Sequence, residues 1–366
     1  MKQPTEPTLS SLNRRTFQFA TAVAASAVWS TSANWSASAR AQSPARKLRV
    51  GQIGTGHGHA NKIGVYRASP DYEVVGIAEP DKKLFEENKK KDAFQGLEWM
   101  SVDQLLATKD LEVVLIETRV NQLLDTAERC VLAGKHIHLD KPAGESYQQF
   151  ERILKIANDK KLLVQMGYMF RYNPAWLFLK DLHARGWLGE IFEVQGVISK
   201  VVDNPSREKF AQYRGGMMFE LGCHLMDLVV DLLGEPGKVT GFAMHSSPKS
   251  DALRDNTLAV LEYPKAIATI KSSALEIEGS ARRHLTVCGT EGTVHIQPID
   301  NPKIQLALSQ PRDNYKREYQ EISFPSFQRY VADAADMAKI LRGEKACDFS
   351  PEHDLRVQRT LLKACE

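Results

Sequence analysis

The stretch that decides the fold is Lys47-Leu-Arg-Val-Gly-Gln-Ile-Gly-Thr-Gly-His-Gly-His-Ala60, running on through Ile63 and Tyr66 to Ala68. Leu48, Val50 and Ile53 read as a short buried strand that stops at a glycine-dense turn. From His59 onward, Ala60, Ile63 and Val65 suggest a helix. A strand, a glycine turn and a helix N-terminus in that order make a phosphate cradle. Glycines let the backbone come close, and free N–H groups with the helix dipole face the anion. Gly54 and Gly56 fit the first two places of the dinucleotide fingerprint, while the third falls on His59, with Gly58 one residue early. Glycine-rich turns also simply end strands, so the turn alone does not decide the matter.

Glu73-Val-Val-Gly-Ile-Ala78 reads as a second strand and ends in Glu79-Pro80-Asp81. Glu79 lies 25 residues beyond Gly54, close to the ~20 expected for the acid that holds a ribose 2′-hydroxyl. A carboxylate there accepts a hydrogen bond from the hydroxyl and repels a 2′-phosphate, which favours NAD over NADP. The plainer alternative is a loop acid before Pro80.

At 366 residues, 43% hydrophobic and 25% charged, the composition is that of a globular chain long enough for two domains. A net charge of +3, without runs of Lys and Arg among aromatics, argues against nucleic acid as a partner. The cysteines at 130, 223, 288, 347 and 365 lack C-x-x-C spacing, so no metal site is expected.

Residues 1–41 read as a signal rather than as fold. Arg14-Arg15 precede a mild apolar run, Phe19 to Trp29, and Ala39-Arg40-Ala41 supplies a cleavage site before Gln42. The run is too short and too rich in Ala, Ser and Thr to anchor stably in a membrane. Ser11 to Phe17 resembles a twin-arginine export signal, which implies the export machinery as a partner and a periplasmic or secreted protein. A disordered basic tail is the alternative.

Further on, a charged helix (82–91), a strand (111–116), a helix (125–133), a strand (136–139), a helix (147–158) and a strand (162–166) alternate. This spacing predicts βαβ units and a doubly wound parallel sheet, so residues 46–166 form a Rossmann domain. Ligands of such sheets sit beyond the carboxyl ends of the strands, where Gly54, Glu79, Thr118 and Lys141 all fall. From Gly167 the pattern changes to a helix (174–185), a strand (191–198), a loop with Pro205, a helix (218–233) and six successive strands between 239 and 308. Residues 167–366 therefore read as an α+β domain with a large, mostly antiparallel sheet, closed by helices within 327–366.

Helix 218–233 places Glu220, His224 and Asp227 on one face, at i, i+4 and i+7. Spacing alone favours a solvated stripe. Gly215, Gly216 and Gly222 count against it, because glycines are costly in a plain surface helix. Lys141 stands at a strand end with its direction fixed by Pro142. A lysine there can polarise or deprotonate a hydroxyl when its pKa is lowered, although most lysines after strands are simply solvated.

The Gly54-Thr55-Gly56-His57 turn, the run Gly134-Lys-His-Ile-His-Leu-Asp-Lys141-Pro142 and Met166-Gly-Tyr-Met-Phe-Arg171-Tyr-Asn-Pro174 together resemble the Gfo/Idh/MocA oxidoreductases. Segment 215–227 and Thr286-Val-Cys-Gly-Thr-Glu-Gly-Thr293 add to the likeness, which extends over residues 47–366. The resemblance implies an NAD(P)-dependent reaction on a sugar, polyol or related hydroxyl compound, and a homo-oligomer built on the open sheet. It implies cofactor contacts from Gly54, Thr55, Gly56, His57, Gly58, His59, Glu79, Thr118 and Lys141. The family's Glu-Lys-Pro stands here as Asp140-Lys141-Pro142, and its aspartate–histidine pair as Glu220 and His224. The histidine usual after the third strand is missing, with Leu123 near its place. By resemblance, His224 takes the substrate's hydroxyl proton, Lys141 steadies the alkoxide, and Glu220 orients substrate or histidine. Tyr168, Arg171, Asn173 and Asp227 are the expected substrate contacts. Two other readings stay open: a redox-neutral enzyme that cleaves or isomerises glycosides with transient use of bound NAD, and a cofactor-binding protein without turnover. Export would suit a cofactor that is loaded first and then retained, with Gln42 to Arg46 helping to cover it.

Overall fold

The computed structural model describes residues 46–366, so the expected export signal and Gln42 lie outside the described residues. Five strands form the first sheet: β1 (Leu48–Ile53), β2 (Tyr72–Ala78), β3 (Val113–Ile116), β4 (His136–Leu139) and β5 (Val164–Met166). All pair in parallel, in the order β2-β1-β3-β4-β5. Chain order reverses beside β1, which puts the crevice of the doubly wound sheet between the carboxyl ends of β1 and β3. The connecting helices are α1 (Ile63–Ala68), α2 (Lys82–Asn88), α3 (Val102–Leu106), α4 (Val120–Leu132) and α5 (Tyr147–Asp159). On one face, Val114, Ile116, Ile137 and Leu139 pack under Leu123, Ala127, Val131 and Ile153 of α4 and α5.

Two differences from the expected pattern lie in this half. Helix α4 starts at Val120 rather than at 125, because its N-cap residue Arg119 supplies no side-chain cap to mark the start. Val120, Leu123 and Leu124 carry the buried stripe back one turn further. Helix α3 went unread, although Ser101 and Gln104 form a capping box at its start.

The second sheet has eight strands in the order β13-β12-β11-β10-β6-β9-β8-β7. Its strands are β6 (Ile191–Val197), β7 (Lys238–Met244), β8 (Asn256–Glu262), β9 (Ile267–Ser273), β10 (His284–Gly289), β11 (Gly292–Ile296), β12 (Lys303–Leu308) and β13 (Gln320–Ser323). Only β6 and β9 run parallel. Helices α6 (Pro174–Ala184), α7 (Asn204–Phe210), α8 (Cys223–Leu233), the short α9 (Gly279–Arg282), α10 (Val331–Leu341) and α11 (Pro351–Ala364) complete the chain. Leu225 of α8 packs against Gly196 of β6, where any side chain would collide with it. Helix α7 occupies the stretch read as a loop: Asp203 caps it and Pro205 sits in its first turn, where proline starts a helix.

The closing helices divide between the two sheets. Ala334, Met337 and Ala338 of α10 pack on Leu48 and Val50 of the first sheet and on Tyr66 of α1. Tyr72 Oη donates to the Ala334 carbonyl at 2.7 Å. Arg46 pairs with Glu112 at 2.6 Å, at the amino end of β3 and so away from the crevice it was expected to help cover. No helix among the described residues is long and apolar enough to cross a membrane.

Candidate active site

The glycine turn leaves β1 into the crevice. Gly54 has φ +92°, and a Cβ there would lie 2.5 Å from the Thr118 nitrogen, so only glycine lets β1 and the end of β3 come this close. A Cβ on Gly56 would meet Arg119 at 2.9 Å, whereas Gly58 faces open space. The amides of Gly56 and Gly58 donate to no acceptor among the described residues. Thr118 Oγ1 is buried without a partner. Open backbone donors, an orphan hydroxyl and a cradle that side chains would fill fit a dinucleotide phosphate. Glu79, expected at a ribose, has its carboxylate turned onto the turn itself. It accepts from the Thr55 amide at 2.6 Å, from Thr55 Oγ1 at 2.8 Å and from the Asp81 amide at 2.9 Å.

From β4, Lys141 enters a cavity of about 310 Å³ walled by both domains. Lys141 Nζ donates to the Glu220 carbonyl at 2.7 Å and lies 3.6 Å from Glu220 Oε1. Burial opposes its charge, but the Glu220 carboxylate leads the charges that overcome burial and raise its pKa. Lys141 is thereby held as a cation, a form that can polarise an oxygen rather than deprotonate a hydroxyl.

Glu220 sits in a π-helical turn, Met218–Gly222, that leads into α8. The glycines before it are close approaches: a Cβ on Gly216 would lie 2.5 Å from the Arg254 carbonyl. The stripe they introduce is not solvated, since His224 is 2% and Asp227 0% exposed. His224 lines the cavity and is held uncharged, its pKa pushed well below the usual histidine value by burial and then by Lys141 and His59. Its Nδ1 is buried without a partner.

Beneath the cavity lies a polar cluster that the sequence reading did not assemble. Asp140 is fully buried. Its Oδ1 is 3.0 Å from His59 Nδ1, and its Oδ2 is 2.7 Å from Lys62 Nζ and 3.1 Å from His57 Nδ1. Lys62 Nζ also lies 3.0 Å from Glu117 Oε1 and donates to His138 Nε2 at 2.8 Å. That fixes the His138 tautomer, with Nδ1–H donating to Gln165 Oε1 at 2.9 Å. Burial works against the Asp140 charge, but His57, Lys62 and His59 hold its pKa well below the carboxylate range. Burial, joined by Asp140, pushes Glu117 the other way. His57, His59 and Asp140 bring three possible ligand atoms within 4.8 Å of one another, and the Lys62 ammonium already supplies positive charge there. Lys62, Glu117 and His138 were missed. The available signal was His138 between Ile137 and Leu139 in a strand buried on both faces, where a polar side chain needs a partner.

The expected substrate contacts are corrected by their partners. Arg171 donates to Asp227 at 2.6 Å and to Asp354 at 2.6 Å, all three being buried. Asn173 caps α6 through Oδ1 and donates to the Ile299 carbonyl at 2.7 Å. Tyr168 lies under the Arg171 guanidinium, 5.1 Å from it, and against the His224 ring. None of the four lines the cavity; Met169 and Phe170 between them do. Leu123 is fully buried under the sheet and offers no polar group to the site.

Residues 48–168 match the model of an oxidoreductase family with an NAD-binding Rossmann fold, and residues 176–295 match the GFO/IDH/MocA C-terminal domain. An uncharacterized oxidoreductase of Schizosaccharomyces pombe is 26% identical over 185 residues, 48% of this chain and 48% of that protein, so the match spans about half its length. Inositol 2-dehydrogenase of Rhizobium meliloti (strain 1021) is 26% identical over 226 residues, 61% of this chain and 67% of that enzyme. UDP-N-acetylglucosamine 3-dehydrogenase GnnA from Acidithiobacillus ferrooxidans superposes with a TM-score of 0.72 over 87% of this chain and 97% of that one, at 18% identity. At that identity the likeness is one of fold.

Proposed function

The chain belongs to the GFO/IDH/MocA oxidoreductases, and from that premise we propose that it dehydrogenates a hydroxyl of a sugar, polyol or related compound with NAD(P). One observation carries the reading: a cationic Lys141 and an uncharged His224 line the same cavity as Gly58 of the phosphate cradle. The polyol substrate named for the inositol 2-dehydrogenase relative supports the substrate class.

The cofactor's phosphates would be held by the Gly56 and Gly58 amides and Thr118, and the bound nicotinamide supplies the hydride acceptor. His224 receives the hydroxyl proton. With Nδ1 buried and unpartnered, Nε2 is the nitrogen left to take it, and a neutral ring is the competent form. Lys141 spends one N–H on the Glu220 carbonyl and has others to offer a developing alkoxide. Glu220 keeps Lys141 charged and in place.

The twin-arginine segment motivates export to the periplasm or beyond, with cofactor bound before export and retained. The open face of the second sheet exposes Phe242, Met244 and Ile267, a surface suited to a second copy of the chain. The function is tested by following absorbance at 340 nm in cofactor-loaded protein across a panel of sugars and polyols. Growth of the reduced-cofactor band with at least one of them is expected, and a flat trace with all would refute the reading.

A further inference from the structure

The second domain makes its wall of the cavity strongly cationic. Lys200, Lys209, Arg283 and Arg329 line it together with Lys141, and Glu220 is the one acid in the lining. Asp300 offsets part of this charge, pairing with Arg283 at 2.8 Å and also with Arg329. That leaves two guanidiniums sharing one carboxylate.

Lys209 has a use on the cofactor side, where its Nζ donates to the Gly56 carbonyl of the cradle at 2.9 Å. Lys200 has none. It pairs with no carboxylate among the described residues, and its ammonium lies 5.7 Å from the Phe210 ring. Burial lowers its pKa, with Lys141 and Arg283 adding to the effect against Glu220 and Asp203. Arg283, 8% exposed, spends Nε on the Ser199 carbonyl at 3.2 Å and Nη1 on Asp300. Its Nη2 donates to nothing among the described residues. Unpaired cations in a half-buried wall repel one another. The pyrophosphate of a bound dinucleotide would offset that charge at the cradle, on the Lys209 side. An oxidised nicotinamide ring is itself cationic and adds to the charge facing Lys200 and Arg283. A neutral polyol would leave it in place.

We propose that the substrate carries a carboxylate held by Lys200 and by Nη2 of Arg283, so that the preferred substrates are sugar acids. The inference rests on the dehydrogenase reading and narrows it. Two donor groups match the two oxygens of a planar carboxylate, whereas a phosphate presents three oxygens and a second charge.

The test uses cofactor-loaded protein and matched trios that differ only at C6: glucose, glucuronate and glucose 6-phosphate, with the galactose series beside them. Turnover is read at 340 nm and binding, independently, by calorimetry. The acid of a trio should exceed its neutral parent by ~10-fold or more in kcat/KM and in affinity, the scale of a charge-assisted pair. Lys200→Met should lower the acid-over-neutral ratio of kcat/KM by ~10-fold or more, and Lys200→Arg should restore most of that ratio. Equal handling of acid and neutral sugar, or an equal loss for both in Lys200→Met, would overturn the proposal. Preference for the phosphate over the carboxylate would also overturn it. Tighter binding of the acid without any oxidation would uphold the anion site and refute the dehydrogenase reading. Oxidation of neutral sugars with no gain for acids would do the reverse.

Discussion

His59 Nδ1 lies 3.0 Å from Oδ1 of the buried Asp140, whose other oxygen accepts from Lys62 Nζ at 2.7 Å. One carboxylate thus ties the turn after β1 to the end of β4 and holds a cavity-lining histidine in a fixed orientation. Its charge is tolerable only because Lys62 faces it.

Lys62→Met is therefore expected to be costly. It leaves Asp140 as an uncompensated buried charge, and removing one partner of such a pair costs about 3–5 kcal/mol. Urea unfolding of the variant checks this. A midpoint unchanged from wild type would show that Asp140 does not need Lys62.

Acid should weaken the fold through the buried histidines. His59 and His138 are both pushed down to about 3, chiefly by burial. Between the ordinary histidine value of about 6.5 and about 3, the unfolded chain binds protons that these rings refuse in the folded state. Stability from them is therefore complete above about 6.5 and is lost as pH falls. Glu117, pushed up by burial, works in the opposite sense and offsets part of the slope. His138→Gln keeps an acceptor for Lys62 and removes one titrating ring. The stability–pH slope of the variant should be shallower than wild type by up to ~1.4 kcal/mol per pH unit in that window. Parallel slopes would contradict the assignment.

Much of the fold was legible because hydrophobic periodicity and glycine turns are local signals: the strands at 48–53 and 136–139 and the helix at 147–158 reflect patterns a short window contains. That Lys141 and His224 meet at one cavity was legible too, the first from its place at a strand end and the second through resemblance. The buried cluster was not, because Lys62, Glu117 and Asp140 lie on three separate segments and only folding shows that they share a charge balance. Arg171 and Asp227 misled for a related reason. Polar residues near a site look like ligand contacts until a distant acid, here Asp354, turns out to be part of their ion pair.

Lys141→Met and His224→Ala should each lower turnover by ~10²-fold or more, the usual scale for losing an acid–base or charge-stabilising group. Circular dichroism and cofactor binding should stay near wild type in His224→Ala. Full activity in either variant would remove that residue from the proposed chemistry.

NAD should bind more tightly than NADP. Glu79 is fixed beside Thr55 of the cradle by three hydrogen bonds, and a carboxylate there repels a 2′-phosphate. Titration with both cofactors decides it, and Glu79→Ser should narrow the gap. Tighter NADP binding in the wild-type protein would refute the role given to Glu79.

The central claim is that hydride passes from a substrate carbinol to a nicotinamide held between these two domains. A sugar or sugar acid deuterated at its carbinol carbons, incubated with cofactor-loaded protein and followed by mass spectrometry of the released cofactor, tests it most directly. The account predicts reduced cofactor one mass unit heavier than with unlabelled substrate. Product formed with no deuterium ever appearing on the cofactor would contradict it.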